Sequence, residues 1–176
     1  MEHKPRWFML TLVGKDQAGI VSHLTSALYE GQCNLGEASM MRLGGNFTIM
    51  LMVSFAGTIK QLRDVVISES ESFGLHLHID QIDAHLHDHL QPDVRISVYG
   101  ADRAGIVAKV TGVLAEAGLH ITDLESDVGG SNEAPIYIMH IEGVANEGLP
   151  SLQAALDIIH DDGIETRLTP VEVMLG

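Results

Sequence analysis

The 176 residues are 45% hydrophobic and carry a formal net charge of −14, with 24 acidic against 10 basic side chains. A surface that anionic repels phosphate backbones and acidic headgroups at long range, which argues against direct nucleic-acid binding and against a membrane role. No apolar run reaches spanning length, the first residues lack a signal-peptide cleavage pattern, and the single Cys33 allows no internal disulfide, so a cytoplasmic protein is expected.

Trp7 to Val13 alternates Phe8, Leu10 and Leu12 with Trp7, Met9, Thr11 and Val13, which predicts a strand. A loop containing Gly14 and Gly19 follows. Ile20, Val21, Leu24, Ala27 and Leu28 then share a helical face, stopped by Gly31. Residues 34–43 and 47–55 read as strands joined by Gly44-Gly45-Asn46, a tripeptide suited to positive φ. Thr58 is the expected N-cap of a second helix with Ile59, Leu62, Val66 and Phe73 inward, and a strand begins near Leu75. Alternation changes parity between Ile79 and Ile82, which predicts a bulge near Asp80-Gln81.

The same order then returns. Residues 94–99 read as a strand, and Ile106, Val107, Val110 and Leu114 as a helical stripe closed by Gly118. Residues 121–128 and 136–141 read as strands, with Gly129 to Pro135 as a connection longer than its counterpart. Pro150 suits the first turn of a helix with Leu152, Leu156 and Ile159 inward, and residues 164–174 form a last strand. Between the halves, residues 89–93 are short, polar and contain Pro92, so two domains are expected, 1–89 and 90–176.

The repetition is explicit in one segment. Residues 14–30, GKDQAGIVSHLTSALYE, and 100–116, GADRAGIVAKVTGVLAE, agree at nine of seventeen positions at an offset of 86. Each half is β-α-β-β-α-β, an α+β fold of the ferredoxin-like type with both helices on one face of an antiparallel sheet. The other sheet face is left bare, which predicts that something covers it, the other half or a second chain.

The loop-helix strings G-K-D-Q-A-G-I-V at 14–21 and G-A-D-R-A-G-I-V at 100–107 resemble the D-R-P-G-I-V motif of the ACT domain, a regulatory module that binds amino acids. Ala18 and Ala104 stand where that motif usually has Pro, and Gln17 replaces its Arg, which Arg103 keeps. The first copy is also similar to the glycine cleavage system transcriptional repressor group, proteins of two ACT domains. The resemblance implies amino-acid-responsive regulation acting through a DNA-binding transcription regulator as protein partner.

Independently of resemblance, a glycine-rich loop opening into a helix offers unpaired N–H groups and a dipole that favour an anion such as a carboxylate. The candidate ligand-binding residues are therefore Asp16, Gln17, Ala18, Gly19, Ile20 and Asn34, with Asp102, Arg103, Ala104, Gly105, Ile106 and His120 in the second copy. Asp16 and Asp102 could receive an ammonium group or cap the helix; Asn34 and His120 could contribute from a neighbouring copy. A small amino acid, glycine or serine, is the favoured ligand, and divergence at Gln17/Arg103 and Asn34/His120 predicts unequal sites.

Other features weigh less. His76, His78, His85, His87 and His89 fit a polar strand edge and linker better than a metal site, and no metal or cofactor is expected. Met40, Met41, Met50 and Met52 read as core or interface filling, with Met50 and Met52 sharing a face. No Walker loop, nucleophile elbow, H-E-x-x-H or Cys-x-x-Cys occurs, so an enzyme is not expected. The alternative to a sensor is an interaction module whose loops bind nothing. The uncovered sheet faces predict a homodimer.

Overall fold

Phe8, Leu10 and Leu12 are fully buried and form the inward row of β1 (Arg6–Lys15), while Trp7, Met9, Thr11 and Val13 point the other way. That period of two gives β1 one face in the core and one turned away from it. The computed structural model describes residues 4–83, 90–101 and 104–171, and the chain divides into two compact units, Met1–Asp88 and His89–Gly176.

In the first unit β1 is followed by α1 (Ile20–Glu30), β2 (Asn34–Leu43), β3 (Asn46–Phe55), α2 (Ile59–Ser72) and β4 (His76–Ile82). The strands pair antiparallel in the order β2-β3-β1-β4. The helices bury Ile20, Leu24 and Leu28 from α1 and Leu62 and Val66 from α2 against the inward strand residues. Val21 and Ile59, expected inside, are exposed; the fourfold spacings 20/24/28 and 62/66/70 leave both residues off the buried stripe. Ser70 takes the third inward place on α2 and is satisfied there, its hydroxyl donating to Val66 O at 2.8 Å.

Local signals fix the boundaries. Leu43 pairs with Asn46, so the β2–β3 turn is Gly44-Gly45, with φ of 55° and 76°. Two consecutive positive φ values define a tight hairpin that only such residues enter cheaply. Thr58 caps α2: its Oγ1 accepts from Gln61 N at 3.2 Å, and Gln61 Oε1 accepts from Thr58 N at 2.9 Å, a reciprocal capping box. The predicted bulge near Asp80-Gln81 is absent. Trp7 to Val13 pair with Ile82 to His76 without a shift; Gln81 occupies an inward register position beside Phe8 but is exposed, and Ile82 lies on the outward face beside Trp7.

The second unit repeats the plan: β5 (Val94–Ala101), α3 (Ile106–Glu116), β6 (Leu119–Ser131), β7 (Ala134–Ala145), α4 (Leu149–His160) and β8 (Glu165–Pro170), in the order β6-β7-β5-β8. Its core is Val94, Ile96 and Val98 with Ile106, Val110, Leu114, Met139, Ile141, Leu152, Leu156 and Ile159. The long connection expected at Gly129–Pro135 is instead ladder: Ser131 pairs with Ala134, and only Asn132-Glu133 form the turn. Pro135 escapes penalty because β7 meets β5 only from Ile136 onward, so its missing N–H forfeits no bond to that strand. Asp93, read from sequence as linker, is stitched into this unit. Its N–H donates to Gly143 O at 3.0 Å, its carbonyl accepts from Val171 N at 2.8 Å, and its carboxylate accepts from Ala145 N at 2.9 Å.

The sheet faces turned away from the helices are unlike one another. In the first unit that face carries Trp7, Met9, Thr11, Val13, Met50, Met52 and Ile82, together with His76, His78 and Asp80 on β4. In the second unit the places of Met9 and Met52 are taken by Arg95 paired with Glu142, those of Thr11 and Met50 by Ser97 and His140, whose Oγ and Nδ1 lie 3.1 Å apart, and those of His78 and Val13 by Arg167 and Tyr99. Among the described residues no helix is long and apolar enough to cross a membrane.

Candidate functional site

β1 ends at Lys15 and α1 starts at Ile20, so residues 16–19 must reverse the chain from sheet to helix layer. Gly19 does so as the N-cap of α1, at φ 93° and ψ −10°. A left-handed N-cap without a side chain leaves the amides of Ile20, Val21 and Ser22 without a capping side chain; the first amide bonded back is that of His23, to Gly19 O at 3.0 Å. Gln17, Ala18 and Gly19 are exposed, so the turn is open at the surface. Ile20 is 2% exposed and its side chain belongs to the core; only its main chain faces the loop. Gly14 serves packing, since a Cβ there would lie 2.8 Å from Leu75 Cδ2 and 3.1 Å from Gly74 O.

The side chains around this turn are already engaged. Asp16 neither caps α1 nor stands alone: its carboxylate is paired with Arg42 on β2, and its N–H donates to Gly45 O at 3.1 Å. Gln17 reaches across to α2, its Nε2 donating to Phe73 O at 2.8 Å. His23, one turn into α1, is 3.2 Å from Glu69 Oε2 and packs edge-on against the Phe73 ring at 5.3 Å. The loop is thus tied to the β2–β3 hairpin on one side and to the end of α2 on the other.

In the second unit Gly105 is the N-cap of α3 at φ 86° and ψ −2°, and Lys109 N donates to its carbonyl at 2.9 Å. Ala104 and Gly105 are exposed, and Ile106 is again core. A Cβ on Gly105 would meet nothing within 4 Å, so glycine is required there by its backbone angle and not by crowding. Lys109 occupies the place of His23 and pairs with Asp162 beyond the end of α4. Asp102 and Arg103 lie outside the described residues.

Asn34 and His120 do not join these loops within their own units. Each follows the C-terminus of the helix whose N-terminus the loop opens, about 16 Å away for eleven residues at 1.5 Å each. Asn34 pairs with Ser54 at the start of β2, and His120 with Val144 on β6. Of the histidine run, His85, His87 and His89 lie outside the described residues; His78 Nε2 is 2.9 Å from Asp80 Oδ2 on an exposed strand face. Among the described residues no group of three or more His, Cys, Asp or Glu is placed to hold a metal. The residues missed from sequence are Arg42, Phe73 and Glu69. They reach the loop through strand register and helix packing, neither of which a motif encodes.

Two copies of a β-α-β-β-α-β unit, each with a left-handed glycine opening its first helix, define a tandem ferredoxin-like architecture. The sequence profile of the ACT domain matches residues 6–80 and 93–133, and the chain belongs to the ACT domain family. Short relatives named as UPF0237 proteins are similar: one from Listeria monocytogenes is 29% identical over 76 residues, covering 42% of this chain and 85% of the relative. One from Lactococcus lactis is 31% identical over 72 residues, covering 40% and 83%. Among solved structures, an unknown protein from Galdieria sulphuraria superposes with a TM-score of 0.78 at 24% identity, over 96% of this chain and all of that one. A candidate glycine cleavage system transcriptional repressor superposes with a TM-score of 0.68 at 18% identity, over 96% and 99%. These two likenesses show the tandem fold.

Proposed function

We propose that the chain is an amino-acid-sensing regulatory protein of the glycine cleavage repressor type. It binds a small amino acid, glycine or serine, at the turns around Gly19 and Gly105 and acts on a DNA-binding transcription regulator by protein contact. The observation that carries this reading is the recurrence of one device at both places: an exposed left-handed glycine opening a helix whose first amides no side chain caps. Such amides suit a carboxylate, and two copies of one loop suit a metabolite read twice. The charge of −14 supports an indirect route to DNA.

Glycine has few atoms, and at a ceiling of about −1.5 kcal/mol per heavy atom its affinity stays no tighter than a few micromolar. A site of that strength follows a metabolic pool and does not retain a ligand.

A second reading, an interaction module with silent loops, draws support from Asp16 and Gln17, whose side chains are both engaged internally. Calorimetry and thermal-shift titration against the twenty amino acids separate the two. A rise in unfolding temperature with glycine or serine supports sensing, because a ligand confined to the folded state stabilises it. No response to any of them at roughly 10 mM, a thousandfold above a Kd of about 10 μM, removes it.

A further inference from the structure

The two loops differ at one place the repeat itself does not show. In the first unit a cross-sheet row runs Arg42–Phe47–Gly14 from β2 through β3 to β1; in the second the same row runs Val128–Tyr137–Gly100. Gly14 and Gly100 are equivalent, so Val128 stands in the place of Arg42. Arg42 pairs with Asp16, the carboxylate directly before the first turn, whereas a valine at that position pairs with no carboxylate.

We propose that Arg42 is an internal competitor for the first loop: its guanidinium occupies the carboxylate that a ligand's ammonium group requires, so the first site is gated. This inference rests on the sensing role assigned above. Its logic is chemical. Guanidinium and ammonium are both cationic hydrogen-bond donors that seek a carboxylate, and the two cannot hold the same Asp16 oxygens together. Arg42 is largely solvent-exposed, with 69% of its side chain accessible, whereas Asp16 is only 22% accessible, so the mobile partner is the arginine. With the guanidinium this exposed, the pair is weak enough to be displaced. Apparent affinity falls by the fraction of molecules whose carboxylate is free, so the gate lowers affinity without blocking it. Because Arg42 lies one residue before the end of β2, its release also frees one side-chain tether between the loop and the β2–β3 hairpin, leaving the Asp16 N–H to Gly45 O bond in place.

The test is calorimetry of the full chain with glycine and with serine, on wild type, Arg42→Ala and Arg42→Lys. Arg42→Ala is expected to tighten the first site about two- to fivefold, the range that a pair with an exposed guanidinium allows, with Arg42→Lys close to wild type. Binding to Arg42→Ala with silence from wild type would also support the gate. If wild type binds and Arg42→Ala binds equally or more weakly, the gate is overturned while sensing stands; weaker binding would make Arg42 a ligand contact. If neither wild type nor Arg42→Ala binds any amino acid, both readings fall together. Unchanged melting temperatures for the variants show that the comparison is made on folded protein.

Discussion

Gln32 and Gly118 occupy one position of the repeat, the second residue after the first helix of each unit, and both are left-handed, at φ 57° and 83°. Gly118 adopts that angle freely. Gln32 is the one non-glycine residue with positive φ among those described, and its Cβ opposes the following carbonyl. Replacing Gln32 by Gly is expected to stabilise the first unit by about 0.5–1 kcal/mol in urea or thermal unfolding. The converse change, Gly118→Gln, destabilises by more, because a Cβ there would lie 2.6 Å from Glu147 Cγ.

Gly105→Ala isolates the conformational role of the second loop. No atom lies within 4 Å of the added methyl, so the whole effect comes from φ 86° and amounts to about 1 kcal/mol of stability. If the loop binds an amino acid, its amides move as the turn relaxes, and the second site's calorimetric signal is lost while the first is unchanged. Retention of both sites with unaltered affinity would separate this turn from ligand binding.

The order of elements was legible because each carries its own punctuation. Thr58 announced α2, Gly44-Gly45 announced the hairpin, and Pro150 marked the first turn of α4. What was not legible depends on register. Gly129-Gly130 and Pro135 have loop composition, yet pairing of β6 with β7 carries them in the ladder as far as Ser131 and Ala134. Ile82 looked out of step only because Gln81 takes an inward position at the exposed end of β4. At the loops, the glycines were visible from the duplication, but Arg42 and Phe73 lie far along the chain and reach Asp16 and Gln17 only once the strands and helices are packed.

Cys33 lies just after α1, buried, and desolvation pushes its thiol above the usual range. Burial favours the neutral form, so the folded-state pKa exceeds the unfolded one. That contribution to stability is complete below the unfolded value of about 8.5 and is lost as pH rises through the folded value. The stability difference between wild type and Cys33→Ala should therefore shrink as pH rises above about 8.5. Thiol labelling at about pH 8 should be slow in buffer and fast in denaturant. Rapid labelling of the folded protein would contradict the burial.

Homodimerisation, expected from bare sheet faces, becomes specific once the two faces are compared. The first unit's face presents Trp7, Met9, Met50 and Met52 on β1 and β3, with His76, His78 and Asp80 along β4, whereas the second presents Arg95, Glu142, His140 and Arg167 beside Tyr99 and Ile138. Stacking two copies through the charged face would desolvate ions that are hydrated or paired, at a cost their partners do not recover. Stacking through the Trp7 and methionine patch of the first face removes hydrocarbon and thioether surface from water at about 25 cal/mol per Å². Met50 is 46% exposed at the centre of the sheet, so Met50→Lys places a charge in that interface without touching the core beneath β3. Solution scattering is expected to give a dimeric mass for wild type, a monomeric mass for Met50→Lys, and a dimeric mass for Ser97→Lys on the other sheet. A wild-type mass that stays monomeric at all concentrations removes the proposal, and a Met50→Lys variant that remains dimeric moves the interface off this face.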